Sequence, residues 1–262
     1  MKNKLVTTIA GFIILFFLYH AAEYMILFKN SAVGFLCFQL VFFIVAWGIA
    51  KWQTGQGFAA WGLEAKKGFG APLIAGMIMG AVLYGLIFLI SILWGTEKIS
   101  EMPSSPAAFS PFLLFVFGNL FSSFSEDILT RAYVYRHLKE KLTGTQLVFL
   151  SALVYLLNHI YRLDDGPEAW LYLFTLGILY AIPLIVSRRL WFTGGMHWAG
   201  NCVFFLTHGI IQTGDGPVRF SPNYILVLCS LFLIPVNYAV LRALQKNREK
   251  NSIAETSGNF VT

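Results

Sequence analysis

Charge is scarce in this sequence: only 12% of its 262 residues are Asp, Glu, Lys or Arg, while 57% are hydrophobic. That balance excludes an ordinary water-soluble domain, in which about a quarter of residues are charged. No polar stretch is long enough to form a separate soluble domain beside the apolar one. Cysteine is equally thin. Cys37, Cys202 and Cys229 all fall inside apolar runs, are odd in number and lack metal-type spacing, which excludes a disulfide framework and a cysteine zinc site. The H-E-x-x-H signature is missing, and no internal repeat suggests a transporter built from two related halves. Acidic residues number 13 against 19 Lys and Arg, a formal charge of +6. The cations lie in short segments between apolar runs, the pattern that orients a membrane protein, so no nucleic-acid partner is expected.

What is abundant is apolar run length. Runs of roughly 20 residues, the length needed to span a bilayer, occupy about eight segments: 5–28, 31–50, 71–94, 109–125, 146–161, 169–187, 190–211 and 222–243. The first follows Lys2 and Lys4 and has the look of a signal peptide, but it is long, carries His20 and Glu23 and lacks a small-residue cleavage site, so it is expected to be retained. With eight spans both termini share a side. That side holds Lys2, Lys4, Lys51, Lys66, Lys67, Arg136, Lys139, Lys141, Arg188, Arg189, Arg242, Lys246, Arg248 and Lys250, fourteen cations; the other holds Lys29, Lys98, Arg162 and Arg219. The positive-inside rule then makes both termini cytoplasmic. The expected fold is all-α, a polytopic membrane helix bundle of about eight transmembrane helices. Residues 1–244 form a single transmembrane domain and 245–262 a polar, mobile cytoplasmic tail. Residues 126–142 are expected to continue the fourth span as an amphipathic helix at the cytoplasmic interface, and 51–70 to form a cytoplasmic loop ending in WGLEAKKGFG. Membrane lipids are the implied surroundings; the sequence does not define an oligomeric state.

Ionisable residues inside the hydrocarbon cost several kcal/mol unless paired or hydrated, so each is a functional candidate. They are His20 and Glu23 in the first run, Glu126, Asp127 and Arg131 at the end of the fourth, His159 in the fifth, and His197 and His208 in the seventh. Asp127 and Arg131 stand four apart on one helix face, with Glu126 about a quarter-turn away, so one carboxylate can hold the arginine while the other stays free. Arg131 reads equally well as a cation snorkelling to lipid phosphate. His197 and Asn201 are likewise four apart in LWFTGGMHWAGN, where Gly194, Gly195 and Gly200 permit close helix approach. His159 ends the run ALVYLLNH, with Tyr155 one turn earlier. His20 with Glu23 reads as a structural pair, His137 as a solvated interfacial residue, and His208 as lying near the outer end of its run.

One carboxylate, two imidazoles and an amide from three helices can activate water and stabilise a tetrahedral oxyanion. Glu126, His159 and His197 are also a catalytic zinc donor set with an open fourth position. Both chemistries stay open, the one requiring no cofactor and the other zinc.

Taken in order, E-D-x-x-x-R at Glu126, Asp127 and Arg131, Y-x-x-x-H at Tyr155 and His159, and H-x-x-x-N at His197 and Asn201 resemble the three motifs of the CPBP family. That family comprises the type II CAAX prenyl endopeptidases and the bacterial bacteriocin-immunity (Abi) homologues. The WGLEAKKG loop extends the likeness back to about residue 61. The sequence departs from the family pattern at Asp127, where a second Glu is usual, and at Tyr155, where Phe is usual. The resemblance implies a membrane endopeptidase of a bacterial cytoplasmic membrane, acting on a peptide or lipidated protein. It implies that Glu126 and His159 activate water, that His197 and Asn201 bind the oxyanion, and that Asp127, Arg131 and Tyr155 support them. The alternative is a non-proteolytic scaffold or regulator of a partner membrane protein.

These run boundaries carry a conflict in depth. At 1.5 Å per residue Glu126 lies about 25 Å from the outer end of its run, His197 about 10 Å and His159 about 20 Å from their inner ends. Straight upright helices would keep them apart, so a boundary must move or the fifth helix must tilt. The cavity is expected to open to the cytoplasm.

Overall fold

In the computed structural model, which describes residues 2–66 and 68–258, each apolar run becomes a helix. α1 (Lys2–Leu27) and α2 (Ala32–Thr54) form an antiparallel pair. α2 starts where the Ser31 hydroxyl accepts the Gly34 amide at 3.1 Å, and stops at Gly55, which takes φ 75° and returns its amide to the Lys51 carbonyl. α3 (Gly70–Trp94) follows, then α4 (Ser110–Asp127), which passes through a π-helical turn at Ile128–Ala132 into α5 (Tyr133–Leu138). α6 (Gly144–Asn158) opens on a capping box in which Thr143 and Gln146 satisfy each other's amides. α7 (Pro167–Ser187) begins with Pro167, where a missing amide hydrogen costs nothing. α8 (Trp191–Phe205) runs into a second π turn at Leu206–Ile210, and α9 (Pro222–Gly258) closes the described chain.

The chain is thus an integral, multi-pass, almost wholly helical membrane protein, but the expected count of about eight spans does not carry over directly. Among the described residues six helices are long and apolar enough to cross a membrane. α6 has 15 residues, about 22 Å at 1.5 Å per residue, which is short of a hydrocarbon core of about 30 Å; α8 continues through its π turn to Ile210 but is not among the six.

Three other expectations change. Residues 126–138 are no interfacial amphipathic helix: they belong to one candidate span, Ser110–Leu138, and Ser123–Val134 are buried without a break. Side chains from three neighbouring segments cover every face there, so periodicity alone misleads. The tail from 245 continues α9 as helix to Gly258; Lys67 and residues 259–262 lie outside the described residues. Two short strands, β1 (Glu97–Glu101) and β2 (Gln212–Asp215), pair antiparallel from Glu97↔Asp215 to Glu101↔Gln212 and tie the α3–α4 connection to the α8–α9 connection.

Packing draws the molecule around residues 126–159. One apolar cluster joins α3, α7, α8 and α9 and includes Tyr155; the other joins α1, α2 and Trp61 with Ile128 and Leu129. Between α3 and α8 the backbones nearly touch: a Cβ on Gly76 or Gly80 would stand 2.0 Å from the carbonyl oxygens of Phe192 and Met196. Only glycine permits that approach. The WGLEAKKG loop folds inward, for Trp61 is buried, donates to the Ala46 carbonyl at 3.1 Å and stacks on Tyr133, while the Gly62 carbonyl accepts the Leu190 amide at 3.0 Å beside the start of α8.

Candidate active site

The depth conflict between Glu126 and His159 resolves once α4 to α5 is read as one rod. Glu126 stands twelve residues before Leu138, about 18 Å from that end, and His159 stands fifteen residues after Gly144, about 22 Å from the adjacent end. α5 and α6 are antiparallel neighbours across a short turn, so the two residues reach similar depth without a steep tilt. α6 also stops there: His159 leaves the helical region at φ −84°, ψ 52°. A helix that ends beside the carboxylate, rather than passing it, frees the His159 side chain to turn inward.

Three of the residues singled out from the sequence converge. Nε2 of His159 lies 3.8 Å from Oε1 of Glu126, and Nε2 of His197 lies 3.6 Å from Oε2 of the same carboxylate. Each ring is held from behind through its other nitrogen. His159 Nδ1 is 2.8 Å from the Tyr155 carbonyl, and His197 Nδ1 is 3.1 Å from Asp127 Oδ1. A carbonyl and a carboxylate only accept, so both Nδ1 atoms carry hydrogen and both Nε2 atoms are turned to Glu126.

Asp127 and Arg131 form a fully buried ion pair. Arg131 is therefore not a snorkelling cation. Its guanidinium donates to Asp127 and to Thr130 Oγ1 at 3.1 Å, and its faces rest on the rings of Tyr155 at 4.4 Å and Tyr180 at 5.1 Å. The π turn between Ile128 and Ala132 begins directly after the two acidic residues, and the Thr130 hydroxyl takes up the Glu126 carbonyl at 2.8 Å. One extra residue per turn re-aims side chains locally, a feature common at functional sites.

Asn201 stands one turn beyond His197 but outside contact with Glu126; its amide donates to Asn119 Oδ1 on α4 at 3.3 Å. Tyr155 meets His159 edge-on at 4.6 Å. Several participants were not singled out from the sequence. Asn158 donates to Glu126 Oε1 at 3.4 Å. Tyr180 stacks on the His197 ring at 4.9 Å. Asn119 accepts from Ser123 at 3.3 Å besides Asn201. As ordinary polar residues within apolar runs they bear no charge that would mark them out. His20, read as half of a structural pair with Glu23, keeps that pair at 3.6 Å and also reaches the Asn158 carbonyl at 2.9 Å.

Side-chain exposure falls from 18% at His159 to 7% at Glu126 and 3% at His197. Among the described residues no group of three or more His, Cys, Asp or Glu is arranged to hold a metal ion. The Nε2 atoms face different oxygens of Glu126 rather than one common point.

Residues 108–203 match the family model described as Rce1-like, type II CAAX prenyl endopeptidase. Over that segment the chain is similar to the CPBP family. The matched segment contains Glu126, Asp127, Arg131, Tyr155, His159, His197 and Asn201, and leaves His20 outside. Compared with the curated proteins, the chain has no match. The CPBP family is one of proteases, which agrees with a buried carboxylate faced by two oriented imidazoles in a membrane-embedded helix bundle.

Proposed function

We propose that this protein is an intramembrane endopeptidase that hydrolyses peptide bonds of a membrane-associated protein or peptide. The observation that carries this reading is the placement of the Glu126 carboxylate between two imidazoles whose Nδ1 atoms are already engaged. A water held by Glu126 Oε1 and His159 Nε2 donates one hydrogen to each. Its oxygen attacks the scissile carbonyl carbon as Glu126 takes a proton, and that proton passes to the leaving amine when the C–N bond breaks. His197 and the second N–H of the Asn201 amide receive the oxyanion. For His197 to donate from Nε2 while Nδ1 donates to Asp127, the ring must carry both hydrogens. Asp127 offsets that charge, and Arg131 holds Asp127 in place. Asn158 helps keep Glu126 aimed.

The exposure gradient supports approach of the substrate past His159, at the end of α6 remote from the basic turn, rather than from the cytoplasmic side expected from the sequence. In this reading Glu126 and His159 activate the water without a metal. The zinc reading has its own test: loss of activity with EDTA and recovery with zinc would replace the carboxylate mechanism.

The decisive experiment replaces Glu126 with Gln, which keeps shape and removes the base. Membrane proteomics of parent and Glu126→Gln cells should show peptide termini that vanish in the variant. The purified variant should elute as a folded monodisperse species and cleave about 10²–10⁴-fold more slowly. Cleavage at the parent rate would end the mechanism. A cellular phenotype restored equally by parent and Glu126→Ala protein would favour a scaffold or regulator.

A further inference from the structure

Away from the candidate active site, a cavity of about 680 Å³ opens where the start of α1, the end of α2 and the end of α5 meet. Its lining includes Lys4, Arg136, Lys139 and Lys141 against one acidic residue, Glu140. Lys139 stands 3.8 Å from Glu140; among the described residues Lys4, Arg136 and Lys141 pair with no carboxylate. Three cations therefore face the cavity without an internal counter-charge.

The uncharged polar groups of the lining narrow the ligand further. Gln53 Oε1 and His137 Nε2 are buried and have no hydrogen-bond partner among the described residues. The Gln53 amide nitrogen is already used, on the Thr7 carbonyl at 3.0 Å and the Tyr133 hydroxyl at 3.4 Å, so its oxygen is left to accept. Thr8 spends its hydroxyl hydrogen on the Lys4 carbonyl at 2.9 Å, so toward His137 Nδ1, 3.3 Å away, it can only accept. The hydrogen of a neutral His137 ring is then on Nδ1, and Nε2 is an acceptor. A tilted contact with the Tyr133 ring, centroids 4.4 Å apart, holds the ring in this orientation. Cations beside two unfilled acceptors suit an anion that also carries hydroxyl donors.

We propose that this cavity binds the polyol-phosphate headgroup of an anionic phospholipid, with the phosphate on Lys4, Arg136 and Lys141 and hydroxyls donated to Gln53 and His137. A lipid is favoured over a soluble phosphate because the cavity lies at the terminal turns of candidate membrane spans and its wall includes Leu5, which is 61% exposed. The acyl chains then continue along an apolar surface already in the bilayer.

The test uses the purified full chain in micelles, with bound lipid counted by native mass spectrometry and affinity taken from thermal-shift titration. Phosphatidylglycerol should bind, and phosphatidylcholine should not. Phosphatidylmethanol, which has the same charge and no hydroxyl, should bind about fivefold more weakly for each hydroxyl bond lost. Combining Arg136→Gln with Lys141→Gln should weaken phosphatidylglycerol about 25-fold, about fivefold for each cation. The charge-matched pair Lys246→Gln and Arg248→Gln should leave it unchanged. His137→Phe, which keeps an aromatic ring on Tyr133, should reduce the preference for phosphatidylglycerol over phosphatidylmethanol.

Equal loss in the tail variant would mean diffuse surface attraction and overturn the site. Equal binding of phosphatidylmethanol would overturn the polyol assignment. Equal stabilisation by soluble glycerol 3-phosphate would overturn the lipid as its source.

Discussion

At the scale of single residues, burial turns ordinary side chains into obligatory partners. Asp127 and Arg131 are both fully buried, and removing one partner of such a pair leaves an uncompensated charge, a loss of about 3–5 kcal/mol. Arg131→Ala should therefore lower the unfolding transition in micelles sharply, and the double replacement Asp127→Asn with Arg131→Met should recover much of it. Denaturant titration followed by tryptophan fluorescence measures both. A single variant as stable as the parent would show that the pair is hydrated rather than enclosed. Asn158 tests positioning rather than stability. Its side-chain amide donates to Glu126 and its backbone carbonyl faces His20, so Asn158→Ala, which removes only the first, should slow cleavage about tenfold, consistent with one hydrogen bond to a charged group, with substrate binding little changed. His20→Ala, which removes the contact to the Asn158 backbone carbonyl together with the Glu23 pair but leaves the Asn158 amide on Glu126, should give a smaller effect in the same direction on turnover.

At the scale of elements, the site depends on where helices stop and how closely they pass. α6 ends at Asn158, and the close pass of α3 along α8 sets the position of His197. Gly80→Ala would place a methyl 2.0 Å from the Met196 carbonyl oxygen, a backbone contact that no rotamer change can relieve. The expected cost is about 1–3 kcal/mol, together with reduced cleavage as α8 is displaced. Gly85, where an added Cβ meets nothing within 4 Å, is the matched control; its alanine variant should behave like the parent. Comparable melting temperatures for both alanine variants would show that α3 and α8 do not need the close approach.

For the whole molecule, orientation is the open quantity with the clearest test. The charge count puts the turn at Lys139–Thr143 and the C-terminal end of α9 on one side, cytoplasmic, and the Asp164–Asp165 turn on the other. Single cysteines at these places, in a background lacking Cys37, Cys202 and Cys229, should divide accordingly in labelling by a membrane-impermeant maleimide on intact cells. Only the Asp164–Asp165 position should react. Reaction at Lys139–Thr143 would invert the topology. Much of this scale was legible in the chain itself, because a run of apolar residues has only helix available to it in lipid, and each run did become a helix. Rare charges in such runs also marked Glu126, Asp127, Arg131, His159 and His197 as the residues to watch, and their motif spacing carried the resemblance that the match over residues 108–203 supports. Tertiary structure decided the rest. Whether Arg131 snorkels or is enclosed depends on Tyr155 and Tyr180, which lie far along the chain. The true length of the fourth span depends on neighbours that cover every face of residues 123–134. The parts of Asn158 and His20 depend on where α6 stops, and the basic cavity exists only because three helix ends meet. Periodicity and composition report each segment's average solvent, whereas a site is made of particular atoms from different segments, and only packing brings those within a hydrogen bond of one another.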